Sequence, residues 1–423
     1  MTLHYDDAEI RDPADREREL LTALPELVVQ AQRATTAFAE ILHTIDATQV
    51  TSREALAELP VTRKHDLLER QTRAREARSD DPFGGFSAIG WRGLARAQGA
   101  RNVFQSPGPI YEPQGRAADY WRMARALFAA GFREGDLVHN SFSYHLTPAG
   151  AMLESGAHAL GCAVFAGGVG NTELQLQAIA DLHPQGYCGT PSFLKILLDK
   201  AAETGLAMPS LTKALVSGEA FPPALRDWLV ARGVEGTQCY ATADVGLIAY
   251  ETSAREGLVI DEGVLLEIVR PGSGDPVPAG EVGEVVVTVF NPDYPLIRFG
   301  TGDLSAILPG TCPTGRTNGR IKGWMGRADQ SAKVRGMFVR AEQVAQIVRR
   351  HPDVARARLV VSGEMANDHM LLRIEVNGTP DGLAERVAQS VRDVTKLRCE
   401  IALCAPGSLP NDGKVIDDQR GHA

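Results

Sequence analysis

The chain has no run of apolar residues long enough to cross a bilayer. It also lacks any block of lysine and arginine, and its net charge of -9 gives no electrostatic footprint for nucleic acid. The amino terminus, MTLHYDDAEIRD, is polar and acidic and has neither the basic start nor the apolar core of a secretory signal. The expectation from these absences is a cytoplasmic protein with no membrane or nucleic-acid partner. The six cysteines never form a CxxC pair, and no cysteine or histidine stands at ligand spacing beside Cys312, so a structural thiol is expected there and a disulfide framework is not.

What is present is ordinary globular composition, 44% hydrophobic and 23% charged, over 423 residues. That length exceeds a single usual core and predicts one large domain with a smaller one. Residues from about Pro13 to Gln71 carry apolar positions at helical spacing (Leu20, Leu21, Leu24, Leu27, Val28), with Pro25 and Pro60 expected to break them into segments. No chemistry is apparent in them. A further helix is expected over Asp119 to Ala130.

From Leu137 onward, short apolar runs (LVHNSF, CAVFAG, GYCGT, KALVSG) alternate with helical stretches (Pro148 to Leu160, Thr172 to Leu182, Ser192 to Thr204, Pro222 to Arg232). This pattern predicts a mostly parallel sheet. Ligands in such sheets bind beyond the carboxyl ends of the strands, where the small and polar residues Ser141, Gly167, Thr190 and Ser217 fall. Residues 258–308 are strand-rich and predict an antiparallel sheet or small barrel. The tail after Arg327 predicts helices Ala341 to Arg350 and Gly382 to Leu397 with strands Ala357 to Val361, Met370 to Val376 and Glu400 to Leu403, a small domain of its own.

The most informative stretch is Tyr294 to Arg340. Its first part, YPLIRFGTGDLSAIL, is expected to turn at Gly300-Thr301-Gly302 and deliver Asp303, whose carboxylate could accept two hydrogen bonds from a vicinal diol such as a ribose. Taken alone, GTGD is more often a plain hairpin turn. The second part, GRADQSAKVRGMFVR, has the glycine punctuation of a joint.

In order along the chain, HNSFSYH, SGEA, YATADVG, IRFGTGDL, GRADQSAKVRG and NDGK together resemble the adenylate-forming superfamily, in its phenylacetate-CoA ligase branch. The series covers most of the sequence. The resemblance implies an α/β fold: a large multi-layer amino-terminal domain (1–328) with mostly parallel sheets, followed by a small mobile α+β lid (329–423). Within the first, 1–100 would be mainly helical, 101–257 α/β and 258–328 a β-rich subdomain.

It further implies an ATP-dependent ligase that joins a carboxylic acid, aromatic by the branch resembled, to coenzyme A through an acyl-adenylate, with magnesium as cofactor. Ser217, Gly218, Glu219 and Ala220 would form the adenine turn and Tyr240 would stack on the base. Thr242 would replace the phosphate-contacting hydroxyl that is missing at Ala243, and Asp244 would bind the metal. Asp303 would hold the ribose and Arg327 the nucleotide, while Asp329 would be the hinge and Gly336 would lie on the loop facing coenzyme A. Lys414 would be the catalytic cation, and Tyr144 or His145 a wall of the acid pocket. A homodimer is compatible with the branch.

One segment departs from the pattern. The superfamily's phosphate loop reads approximately SSGTTGKPT, and the matching SPGPIYEPQ keeps Ser106 and Gly108 but replaces both threonines by Pro109 and Ile110 and the lysine by Glu112. Proline has no N–H to donate. A carboxylate about 5 Å from a phosphate charge, at an effective dielectric of about 20, costs roughly 3 kcal/mol. Either this loop points elsewhere, or magnesium offsets the acid, or ATP is not used. The alternative is therefore a non-catalytic or repurposed binding protein for AMP, acyl-CoA or an aromatic acid. A weaker alternative is an enzyme that loads the activated acid onto a separate carrier protein.

Overall fold

The computed structural model describes residues 3–91, 99–328, 330–334, 337–363, 369–378 and 381–420. Contacts divide the chain into two compact units. The first comprises Met1–Leu266, Val287–Phe299 and Leu308–Gly323, and the second Glu267–Val286, Gly300–Ile307 and Trp324–Ala423.

The first unit contains the expected α/β alternation. Strands Leu137–Asn140, Ala163–Ala166, Gly186–Gly189 and Lys213–Val216 alternate with helices Ala149–Ala159, Thr172–Leu182, Pro191–Thr204 and Pro223–Val230. The helix Pro191–Thr204 illustrates why. Proline occupies its first turn, the Thr190 hydroxyl caps the Phe193 N–H, and Gly205 ends it in the left-handed region. Its Leu194, Leu197, Leu198 and Ala201, one helical face, are buried with Tyr187, Ala214, Val216 and Leu229. Each such leucine contributes about 1.5–3 kcal/mol on burial.

Parallel pairing gives the spatial order Ala163–Ala166, Leu137–Asn140, Gly186–Gly189, Lys213–Val216, Glu235–Thr242. Strands Gly246–Glu251 and Leu258–Ile260 then continue the sheet antiparallel. Among the described residues this sheet has nine strands. Its parallel members all end on one edge.

Several expectations are corrected. Pro25 does not break the first helix but lies inside Pro13–Ala34; the missing N–H affects one hydrogen bond, to the carbonyl of half-exposed Leu21. The helix expected from Asp119 begins at Met123, because the Asp119 carboxylate is used as its cap, accepting from the N–H groups of Met123 (2.8 Å) and Ala124 (2.9 Å). Residues 258–308 form no single sheet or barrel. Leu258–Ile260 joins the nine-stranded sheet, whereas Val264–Val269, Gly283–Val289 and Phe299–Ser305 are neighbours in a separate four-stranded sheet with Thr62–Arg63. Gly300-Thr301-Gly302 is likewise no reversal, since these residues lie within the strand Phe299–Ser305.

In the second unit the tail has helices Ala341–Arg349 and Leu383–Thr395 over a sheet in the order Glu400–Cys404, His369–Val376, Val354–Ser362, Ile416–Asp418. Its own core includes Val344, Ile347, Leu359, Ile374, Val387 and Val391.

Candidate functional site

In the first unit, the strand Lys213–Val216 ends in Ser217 to Ala220, with Gly218 at φ +86 and residues 218–220 exposed. The neighbouring strand Glu235–Thr242 runs parallel to it, Val216 opposite Gln238, and carries Tyr240 at its end. The Ser217 hydroxyl donates to the Cys239 carbonyl (2.8 Å), tying the two strand ends together. Glu219 accepts from the Ser192 N–H at 2.7 Å, across the start of the helix Pro191–Thr204. Beyond Tyr240 the chain turns through 243–245, and Thr242 Oγ1 accepts from the Val245 N–H (3.3 Å). Thr242 therefore already serves the turn that presents Asp244.

Expected as a loop, SPGPIYEPQ is part of an antiparallel hairpin, Asn102–Ser106 with Ile110–Gln114, with Phe104 opposite Glu112. Its prolines are compatible with this because Pro107 and Pro109 lie in the connection and Pro113 in a two-stranded ladder that is all edge. Glu112 is 2% exposed and accepts from the Ser106 hydroxyl (2.9 Å). Its carboxyl group lies within hydrogen-bonding reach of Asp244, itself 8% exposed. Burial first, and then the Asp244 charge, push the Glu112 carboxyl well above the usual carboxylate range, with Lys64 opposing. With both acids ionised, Glu112 Oε2 and Asp244 Oδ1 are buried without a donor. One proton held between the groups would relieve both.

Lys64, at the start of the helix Lys64–Glu76, completes this group, with its Nζ 3.4 Å from Asp244 Oδ2. The sequence assigned no chemistry to this region, and a partner 180 residues distant leaves no local signal. Tyr144 turns inward, where its hydroxyl accepts from Asn140 Nδ2 (2.8 Å), whereas His145 is exposed.

In the second unit, Asp303 and Arg327 form an isolated antiparallel bridge. Arg327 NH1 donates to Asp303 Oδ1 at 2.9 Å and Trp324 Nε1 to the same oxygen at 3.1 Å. Gly302 makes this possible, since a Cβ there would stand 2.6 Å from Arg327 NH2 on a backbone at φ +73. Lys414 is exposed, 3.3 Å from Asp417 Oδ1. The peptide carrying it is fixed on both sides: Asn411 Oδ1 accepts from Val282 N–H (2.8 Å) and Gln330 Oε1 from Val415 N–H (2.6 Å). Asp329 and Gly336 lie outside the described residues.

Residues 144–289 match the family model for the AMP-binding enzyme. Over 387 residues, 84% of this chain and 84% of its relative, the sequence is 29% identical to a phenylacetate-coenzyme A ligase of Thermus thermophilus. A second relative of that name, from Escherichia coli K12, is 28% identical over 82% of this chain and 76% of its own. The chain is thus similar to phenylacetate-CoA ligases of the adenylate-forming superfamily. A solved 2-hydroxyisobutyryl-CoA ligase in an open conformation has a similar fold, with a TM-score of 0.71 and 24% identity over 97% of this chain and 92% of that one.

A divalent cation of the kind superfamily members use fits the first unit on chemical grounds. Two hard carboxylates with orphaned buried oxygens suit magnesium, which takes one or two carboxylates and keeps its remaining positions for water and phosphate oxygens. Among the described residues no group of three or more His, Cys, Asp or Glu side chains forms a closed metal cage.

Proposed function

We propose that the protein is an ATP-dependent ligase that joins a carboxylic acid, aromatic in kind, to coenzyme A through an acyl-adenylate. The observation that carries this reading is the side-by-side placement of the Ser217–Ala220 turn and Tyr240 at the carboxyl edge of the parallel sheet, a ledge suited to a flat base. The names of the relatives support coenzyme A as acceptor and an aromatic acid as substrate.

In this reading the acid's carboxylate oxygen bonds to the α-phosphorus of ATP and pyrophosphate departs. The coenzyme A thiol then gives up its proton to solvent and its sulfur bonds to the acyl carbon. The bond from that carbon to the bridging oxygen breaks, and AMP departs with that oxygen and the electron pair. Asp303 would hold the ribose diol, with Arg327 beside it, and Lys414 would stabilise charge that develops on the phosphoryl group. A divalent cation, when bound, supplies further positive charge to the phosphates. Turning the segment 329–423 about Asp329 would exchange Lys414 for the loop at Gly336 between the two half-reactions.

Acid-dependent pyrophosphate release from ATP, over a panel of aryl and short acyl acids with and without coenzyme A, tests the proposal. An aryl acid is expected to give turnover, and Lys414→Ala to lower the adenylation rate by about a hundredfold or more. Binding of AMP with no turnover for any acid would favour a binding protein instead, a reading to which Glu112 and Ala243 lend support. Turnover that survives the lysine change would move the catalytic cation elsewhere.

A further inference from the structure

The acid that stands where the superfamily's phosphate loop has lysine is not a surface charge turned toward solvent. Glu112 is buried on the hairpin, bonded to Ser106, and paired with Asp244 from a different hairpin. With both acids ionised, the pair leaves two polar atoms, Glu112 Oε2 and Asp244 Oδ1, buried and without a donor. A third orphan adjoins them. Tyr294 is 3% exposed, its hydroxyl has no partner, and the charges of Glu112 and Asp244 both act on it. Unsatisfied buried polar atoms are rare in native proteins, and three sharing one neighbourhood call for an occupant.

We propose that Glu112 is a second protein ligand, with Asp244, for the divalent cation that accompanies the nucleoside triphosphate, so that the hairpin meets polyphosphate through a metal ion and not through a lysine. The proposal rests on the ligase reading for the nucleotide but on the acidic pair alone for the metal. It removes the electrostatic objection to Glu112: a carboxylate that repels a phosphate directly becomes favourable when both bind one cation. It also accounts for the missing loop donors. Pro107 and Pro109 offer no N–H, and a metal-bridged phosphate needs none from them.

The test is Mn2+ uptake by the full-length protein, followed as loss of the free-ion electron paramagnetic resonance signal. It is measured alone and with α,β-methylene-ATP, which cannot be cleaved at the α-phosphorus. Wild type is expected to take up Mn2+ weakly alone and more tightly with the analogue. Glu112→Gln, isosteric with the protonated acid and able to keep the Ser106 bond, is expected to weaken both by about tenfold or more, with Glu112→Asp recovering part of the loss. Glu112→Lys should abolish uptake by the protein alone. Unchanged Mn2+ affinity in Glu112→Gln, with a native circular dichroism spectrum, would overturn the proposal. So would Glu112→Lys tightening analogue binding without metal dependence, the result expected of a simple repulsive carboxylate. If wild type binds neither AMP nor the analogue, the ligase reading fails, and Mn2+ uptake by the protein alone still decides the role of Glu112.

Discussion

Gln71 holds Tyr111 by both ends of its amide: the Nε2 group donates to the Tyr111 carbonyl at 2.9 Å and Oε1 accepts from the Tyr111 N–H at 2.8 Å. The side chain is fully buried. It mimics a strand neighbour for the residue next to Glu112 and joins the hairpin to the helix that begins with Lys64. Gln71→Ala strands two backbone groups and is expected to destabilise the protein by about 1–3 kcal/mol in urea unfolding. A neutral result would show that water replaces the clamp.

Gly302 lies where Arg327 crosses toward Asp303. Gly302→Ala places a Cβ against the guanidinium on a backbone that favours glycine. Affinity for AMP, measured by calorimetry, is expected to fall about tenfold as the Asp303–Arg327 pair is displaced. Unchanged affinity would indicate that this pair does not touch the nucleotide.

Arg226 and Glu251 form a buried fork, both contacts at 2.8 Å, and Glu251 also accepts from the Gln238 N–H on the strand carrying Tyr240. Glu251→Ala leaves the guanidinium without its carboxylate and is expected to cost about 3–5 kcal/mol. Chemical denaturation checks it, and the paired change Arg226→Met with Glu251→Leu should recover much of the loss.

His139 is buried, stacked 5.1 Å from Phe165, with Nε2 2.7 Å from Gln175 Oε1. Burial pushes its imidazole below the usual 6.5, against the hydrogen bond to Gln175. As pH falls through 6.5 the unfolded chain takes up a proton that the folded chain accepts only at lower pH, so stability present above 6.5 is lost on acidification. The urea midpoint of wild type should fall between about pH 7.5 and about pH 5.5 by more than that of His139→Phe. Parallel curves would mean that His139 is not held neutral.

The parts of the fold legible in the sequence are those with a local cause. The strands and helices of residues 137–232 announce themselves by apolar runs, by the helical spacing of Leu194, Leu197 and Leu198, and by proline and glycine at helix ends. The errors have distant causes. Gly300-Thr301-Gly302 looks like a turn but is drawn out as a strand by partners on either side. The hairpin around Glu112 is hidden by its prolines, which suit a ladder with no further neighbour. The positions of the Ser217–Ala220 turn and Tyr240 follow from strand ends, but Lys64, Glu112 and Asp244 converge from three separate elements. No spacing rule joins residues that far apart.

Gly413 precedes Lys414 at φ +70, and any side chain there would stand 2.9 Å from Val282 and 3.0 Å from Leu304. Leu304 is the residue after Asp303, so this contact works as a ruler between the acid and the lysine. Its unit of length is a single residue. Inserting one residue between Gly413 and Lys414 would shift the ammonium group out of register with Asp303 while leaving the rest of the tail folded, and conservative exchange of the lysine could not restore it.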